Sequence, residues 1–74
     1  MTDALHYDLG ARIREARRGA GYRNVEQLSV QLNVSHATLA RWERGKSEPS
    51  VSRLREIAVL TGKPLSYFFE SESA

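Results

Sequence analysis

The chain has 74 residues, of which 41% are hydrophobic and 27% charged, with a formal net charge of +2; that is one small globular domain and not a disordered segment. The absence of cysteine excludes disulfide staples, thiolate metal sites and cysteine nucleophiles together, and is compatible with a reducing compartment. No apolar run approaches the ~18 residues of a membrane span, and the start MTDALHYDLG lacks the basic and apolar regions of a signal peptide, so a cytoplasmic, nucleoid-associated protein is expected.

The first predicted helix runs from about Asp8 to Ala20. Asp8 is placed to cap it, and Leu9, Ile13, Ala16 and Ala20 recur at the spacing of one helical face. Gly19 and Gly21 end it. A second helix starts at Asn24 with Gln27 three residues on, a capping pair, and points Leu28 and Leu32 inward with Val25 beside them. It stops at Asn33, a residue type that tolerates positive φ. The third helix begins at Ser35, with Val34 and Leu39 spaced as a hydrophobic staple, and runs through Arg44 to Gly45. Its inward residues are Leu39 and Trp42. A turn over Lys46-Ser47-Glu48-Pro49 follows. Ser50 then caps a fourth helix with Leu54, Ile57, Ala58 and Thr61 on one stripe, closed by Gly62. Pro64 suits the first turn of a short fifth helix carrying Leu65, Phe68 and Phe69.

Two helices joined by the short connection Asn33 to Ser35 form a helix-turn-helix arrangement, whose second member stands out from the body. The charge supports that reading. Between Leu9 and Arg55 there are ten Arg and Lys against four acids, whereas the two ends are acidic. A basic middle of this kind suits a phosphate-facing surface, although a solvated basic helix would give the same count.

Three stretches, LGARIREARRGAGY, VEQLSVQLNVSHATLARWERGKSEPS and LREIAVLTGKPLSYFF, together resemble the Cro/C1-type (lambda repressor-like, XRE) helix-turn-helix family over about four-fifths of the chain. The resemblance implies an all-α, compact five-helix domain over residues 8–69, preceded by an N-terminal arm at 1–7 and followed by a polar tail at 70–74. It also implies a partly buried ion pair between Arg17 and Glu43, joining the first helix to the end of the third. The chain departs from the family pattern at four positions. Val25 stands where many members carry a glutamine that supports the recognition helix and meets phosphate. Ser29 replaces a usual alanine, Asn33 a usual glycine and Thr61 a usual leucine.

For reading bases, Arg41 is the leading candidate, because its planar fork matches guanine O6 and N7 and it lies away from Leu39 and Trp42. His36 and Ala37 occupy the first turn of the third helix, and Thr38 and Ala40 flank its contact face. For phosphates the candidates are Arg23, Asn24, Ser35, Arg44 and Lys46, since helix starts offer free N–H groups and partial positive charge. Capping alone would also explain Asn24 and Ser35. Helical spacing spreads Arg12, Arg14 and Arg18 around the first helix, which reads mostly as a solvated face. Trp42 reads as core. Val59, Leu60, Leu65, Tyr67 and Phe68 form the candidate interface of a homodimer, which would place two recognition helices ~34–36 Å apart on a palindromic operator.

The expected function is therefore a sequence-specific, double-stranded DNA-binding transcriptional regulator, a repressor of bacterial or phage origin. Two alternatives stand beside it: the front module of a longer regulator, and an antitoxin-like or adaptor domain that uses the same helices on proteins. No cofactor, metal or small-molecule ligand is expected, and no enzymatic activity. His6 and His36 are the only histidines, and the adjacent Ser35 and His36 point in different directions on a helix start.

Overall fold

The computed structural model describes residues 8–70. The expected arm at 1–7 and residues 71–74 of the expected tail lie outside them. Four α-helices follow one another: α1 (Leu9–Gly19), α2 (Val25–Leu32), α3 (His36–Glu43) and α4 (Val51–Thr61). The expected fifth helix is instead a 3-10 turn over Leu65–Phe69. Pro64 precedes it in an extended conformation, and its carbonyl accepts from the Tyr67 N–H at 3.0 Å, the i to i+3 bond of a 3-10 turn. Five residues give too little length for an α-helical ladder.

Each α-helix starts on a side-chain cap. Asp8 accepts from the Ala11 amide, Asn24 from Gln27, Ser35 from Thr38 and Ser50 from Arg53, all at 3.0–3.1 Å. A cap of this kind contributes ~1 kcal/mol. The Gln27 side chain accepts from the amide of Arg23, the residue before the cap, and ties the entering chain to the first turn of α2. Asn33, at φ 59°, closes α2 in the left-handed conformation, so that its own N–H and that of Val34 bond back to Val30 and Ser29. Gly45 does the same for α3, with the Lys46 N–H reaching the Arg41 carbonyl at 2.9 Å.

Helices of eight residues are not stable alone; packing holds these. The largest fully buried side chains are Ile13, Leu28, Leu39, Ile57 and Phe68, one from each element. Each contributes roughly 1.5–3 kcal/mol by leaving water. Among the described residues, the two buried hydroxyls bond locally: Ser29 donates to the Glu26 carbonyl at 3.0 Å, and Thr61 to the Ile57 carbonyl at 2.7 Å. Among the described residues, no buried side-chain nitrogen or oxygen lacks a partner.

Two features press α1 against the end of α3. At Gly10, an added Cβ would lie 2.6 Å from the Trp42 carbonyl oxygen and closer still to that of Glu43, so only a residue without a side chain lets the backbones approach this far. Two helical turns further along, Arg17 Nε donates to Glu43 Oε2 at 2.7 Å and Nη2 to Oε1 at 3.2 Å. The remaining Arg17 Nη1 donates to the Tyr22 carbonyl at 2.9 Å. Arg14 adds a second cation 3.5 Å from Glu43 Oε1.

The 3-10 turn is clasped to α1 from outside. The Tyr67 hydroxyl donates to Glu15 Oε1 at 2.6 Å, and the Arg12 and Lys63 cations lie 5.1 and 4.8 Å from the Tyr67 ring centroid. Arg12 and Arg14 are therefore engaged within the domain and are not simply part of a solvated face. The hydrogen bond from Tyr67, helped by the Arg12 charge, holds the Glu15 carboxyl below its ordinary value, while burial and the bond to Glu15 push the Tyr67 hydroxyl up.

Stability should respond at three points. Arg17→Met leaves the Glu43 carboxylate buried with only Arg14 beside it and should cost about 3 kcal/mol in urea unfolding, much of it recovered in the Arg17→Met/Glu43→Met double variant. Gly10→Ala should destabilise despite the better helix propensity of alanine, whereas Gly19→Ala, where nothing lies within 4 Å, should stabilise by up to ~1 kcal/mol. A carboxyl-carbon NMR titration should place Glu15 below the ordinary value of 4.5, and Tyr67→Phe should move it back up. Because the folded value is the lower one, the Glu15 contribution is present above the unfolded pKa and is lost as pH falls through the folded pKa. The raised Tyr67 value acts oppositely: its contribution is present below the ordinary value of 10.0 and is lost as pH rises through the folded pKa. Identical Glu15 midpoints in the two proteins would remove the clasp.

Candidate nucleic-acid interface

The packing of α3 divides its residues into a buried back and an open front. Leu39, Trp42 and Glu43 are buried. His36, Ala37 and Arg41 are exposed, as are Arg44 at the C-cap and Lys46 just beyond it in the chain. Ala37, Arg41 and Arg44 fall at i, i+4 and i+7, so they form a row along the helix, with His36 and Ala40 in the adjacent row. Ala40 and Thr38 are placed at the edges of that front.

The turn before α3 sets where this front lies. Val34 is half-buried against the core and Leu39 is fully buried one turn into the helix, the arrangement of a hydrophobic staple. Ser35 Oγ accepts from the Thr38 amide and donates to Thr38 Oγ1 at 2.8 Å. Thr38 is thus tied into the cap, and its hydroxyl hydrogen remains to be donated elsewhere. The amides of His36 and Ala37, in the first turn of α3, have no intrahelical acceptor and point out along the helix axis. That end carries partial positive charge.

At the start of α2, the exposed Asn24 is the side-chain cap described above, and the Arg23 side chain is exposed. Val25 is half-buried and packs against the core. It therefore supports α2 by apolar contact and offers no polar group to a ligand.

The residues expected at an interface between copies are separated by the structure. Val59 is 80% exposed, and Leu60 and Leu65 pack partly against the core. Phe68 is fully buried and cannot take part. The 3-10 turn directs its ring into the core, edge-on to Tyr67 with centroids 5.2 Å apart. Tyr67 is half-buried and already engaged with Glu15, Arg12 and Lys63. Beside Val59 and Leu60 runs an open groove of about 550 Å³ between α4 and the end of α2.

Sequence reasoning missed three residues that shape this region. Gly10 reads as an ordinary helical glycine, and its contact with α3 is visible only once the helices cross. Arg14 is drawn toward Glu43, which the resemblance pairs with Arg17 alone. Arg53 reads as a surface cation in α4, yet its Nη1 donates to the Leu32 carbonyl at the end of α2, at 2.7 Å. One signal was available for Arg53: a cation in the first turn of a helix opposes the helix dipole and therefore needs another partner.

Comparison with known proteins agrees with this architecture. The family model described as helix-turn-helix matches residues 13–68. An uncharacterized transcriptional regulator in the ATPase CF(0) region of Rhodospirillum rubrum is 38% identical over 71 residues, covering 92% of this chain and 65% of the relative. Uncharacterized HTH-type transcriptional regulators of Sinorhizobium medicae and Rhizobium meliloti are each 32% identical over 62 residues, covering 84% of this chain and 44% of theirs. The chain thus spans between about two-fifths and just under two-thirds of the length of these relatives. With α2 and α3 joined by the Asn33 turn, and the family match running from α1 into the 3-10 turn, the chain belongs to the Cro/C1-type helix-turn-helix family.

Proposed function

We propose that this chain is a sequence-specific, double-stranded DNA-binding transcriptional regulator that inserts α3 into the major groove. The observation that carries the reading is the division of α3: its back is locked by Leu39, Trp42 and Glu43, while Ala37, Arg41 and Arg44 form an exposed row. A groove-reading helix needs a fixed body behind it and an accessible row of small and hydrogen-bonding side chains in front. Arg41 reads guanine through its fork, and His36 reads a neighbouring base edge. Ala37 permits close approach or meets a thymine methyl, with Thr38 and Ala40 at the margins.

Phosphates on either side of the groove are held by Arg23, Arg44 and Lys46, and by the backbone amides at the starts of α2 and α3 next to Asn24 and Ser35. With Val25 in place of a polar side chain, the start of α2 relies on those amides and on Arg23. Regulation acts by occupation of the operator, as a repressor. The names of the relatives, all transcriptional regulators of bacteria, support a bacterial or phage setting. The relatives carry the matched region within a longer chain.

A homodimer on a palindromic operator places Val59, Leu60 and Leu65 between copies, with the recognition helices ~34–36 Å apart. Burial of Phe68 and the clasp on Tyr67 make this interface smaller than the sequence suggests.

Binding-site selection from random duplexes should enrich a short palindrome, and Arg41→Ala should relax the preference at one symmetric base pair by ~1–3 kcal/mol. Arg44→Ala or Lys46→Ala should weaken all duplexes alike and lower the slope of log affinity against log salt by about 0.9 for each phosphate no longer neutralised. Failure of the wild-type protein to enrich any motif would sink the sequence-specific reading. Affinity for duplex DNA without steep salt dependence would favour a domain that binds proteins.

A further inference from the structure

The first turn of α4 holds an electrostatic anomaly. Arg53 is the third residue of that helix, at the positive end of its dipole, where an acid is the favoured residue and none is present. Its guanidinium bridges its own helix and the opposite end of another. Nη1 donates to the carbonyl of Leu32, the last residue of α2, at 2.7 Å, and to Glu56 Oε1 at 2.9 Å. The Leu32 carbonyl is open to this because the Asn33 and Val34 amides turn back to Val30 and Ser29. Arg53 therefore places its cation on the negative end of the α2 dipole, one residue before the turn that leads into α3.

We infer that Arg53 is a positioning residue for the recognition helix. It fixes the direction in which the chain leaves α2, and so the angle at which His36, Ala37 and Arg41 are presented, without touching DNA itself. The hydrophobic staple of Val34 and Leu39 holds the start of α3 to the core, but an apolar contact is non-directional. The charge-assisted bond at Leu32 supplies the directional restraint. Glu56 holds the guanidinium from the solvent side. The cost of a cation in the first turn of α4 is thus offset by a restraint on a different helix, the one whose end sets the turn.

The inference rests on the DNA-binding reading above. Its test uses the duplex that wild-type protein enriches by selection, together with a random duplex of the same length, at several salt concentrations below the melting temperature of each variant. Arg53→Leu should bind the selected duplex about tenfold more weakly, the loss expected for one charge-assisted hydrogen bond. Affinity for the random duplex and the salt slope should stay unchanged. The carbonyl carbon resonance of Leu32 should shift in the variant, and Arg53→Lys, which keeps a charged donor, should recover most of the specific affinity. Arg53→Gln, too short to span the gap, serves as the second variant where Arg53→Leu does not fold, and should behave alike.

A salt slope lowered by about one phosphate contact would make Arg53 a direct DNA contact and overturn the inference. An unmoved Leu32 resonance, or equal changes on selected and random duplexes, would overturn it as well. If wild-type protein enriches a duplex and the variants bind it as wild type does, the positioning role alone fails. If wild-type protein enriches nothing, the DNA-binding reading fails and takes this role with it.

Discussion

Everything presented on the front of α3 depends on the ion pair behind it. Eight residues with two large apolar anchors give little hold on a body this small, and Leu39 and Trp42 could be satisfied with the helix rolled somewhat to either side. The Arg17–Glu43 pair removes that freedom. Glu43 is buried and receives two hydrogen bonds from one guanidinium whose third arm is fixed to the Tyr22 carbonyl. Such a pair has one good geometry, and its desolvation makes every other arrangement costly. It contributes more to the orientation of α3 than to net stability. Gly10 is the steric counterpart, because it lets α1 approach the last turn of α3 closely enough for the pair to close.

Around that point the remaining devices act on the ends of α3. Asn33 and Ser35 set its start, and Gly45 sets its end while leading the chain on to Lys46. Val34 and Leu39 hold the start to the core, and Arg53 reaches from α4 to the last carbonyl of α2. The 3-10 turn seals the opposite side of the body: Phe68 fills the core, and Tyr67 is held on α1 by Glu15 between two cations. A chain of this size buries a modest share of its surface. Hydrogen-bonded anchors at defined points therefore do much of the orienting that a larger core would do by shape alone.

The helix starts were legible in the sequence because each is written in one side chain: Asp8, Asn24, Ser35 and Ser50 all act as caps. The positive φ at Asn33 was legible for the same reason. The Arg17–Glu43 pair was not readable from spacing, since the two residues are 26 apart; it came through family resemblance. Contacts that arise only where helices cross stayed hidden, as at Gly10, Arg14 and Arg53. The end of the chain was misjudged in part. An apolar cluster over Leu65, Tyr67, Phe68 and Phe69 does not say which member turns inward, and the 3-10 geometry decided that Phe68 does. Local pattern carries no mark of a partner, so it does not say which outward side chains of α3 one would touch.

The account is tested most directly by recording backbone amide resonances of the isotope-labelled protein while duplex DNA is added. The amides of His36, Ala37, Arg41, Arg44 and Lys46 should move most, together with those at the starts of α2 and α3, while those around Glu15 and Tyr67 should stay still. Shifts concentrated at Val59, Leu60 and the α4 groove, with α3 unmoved, would contradict it.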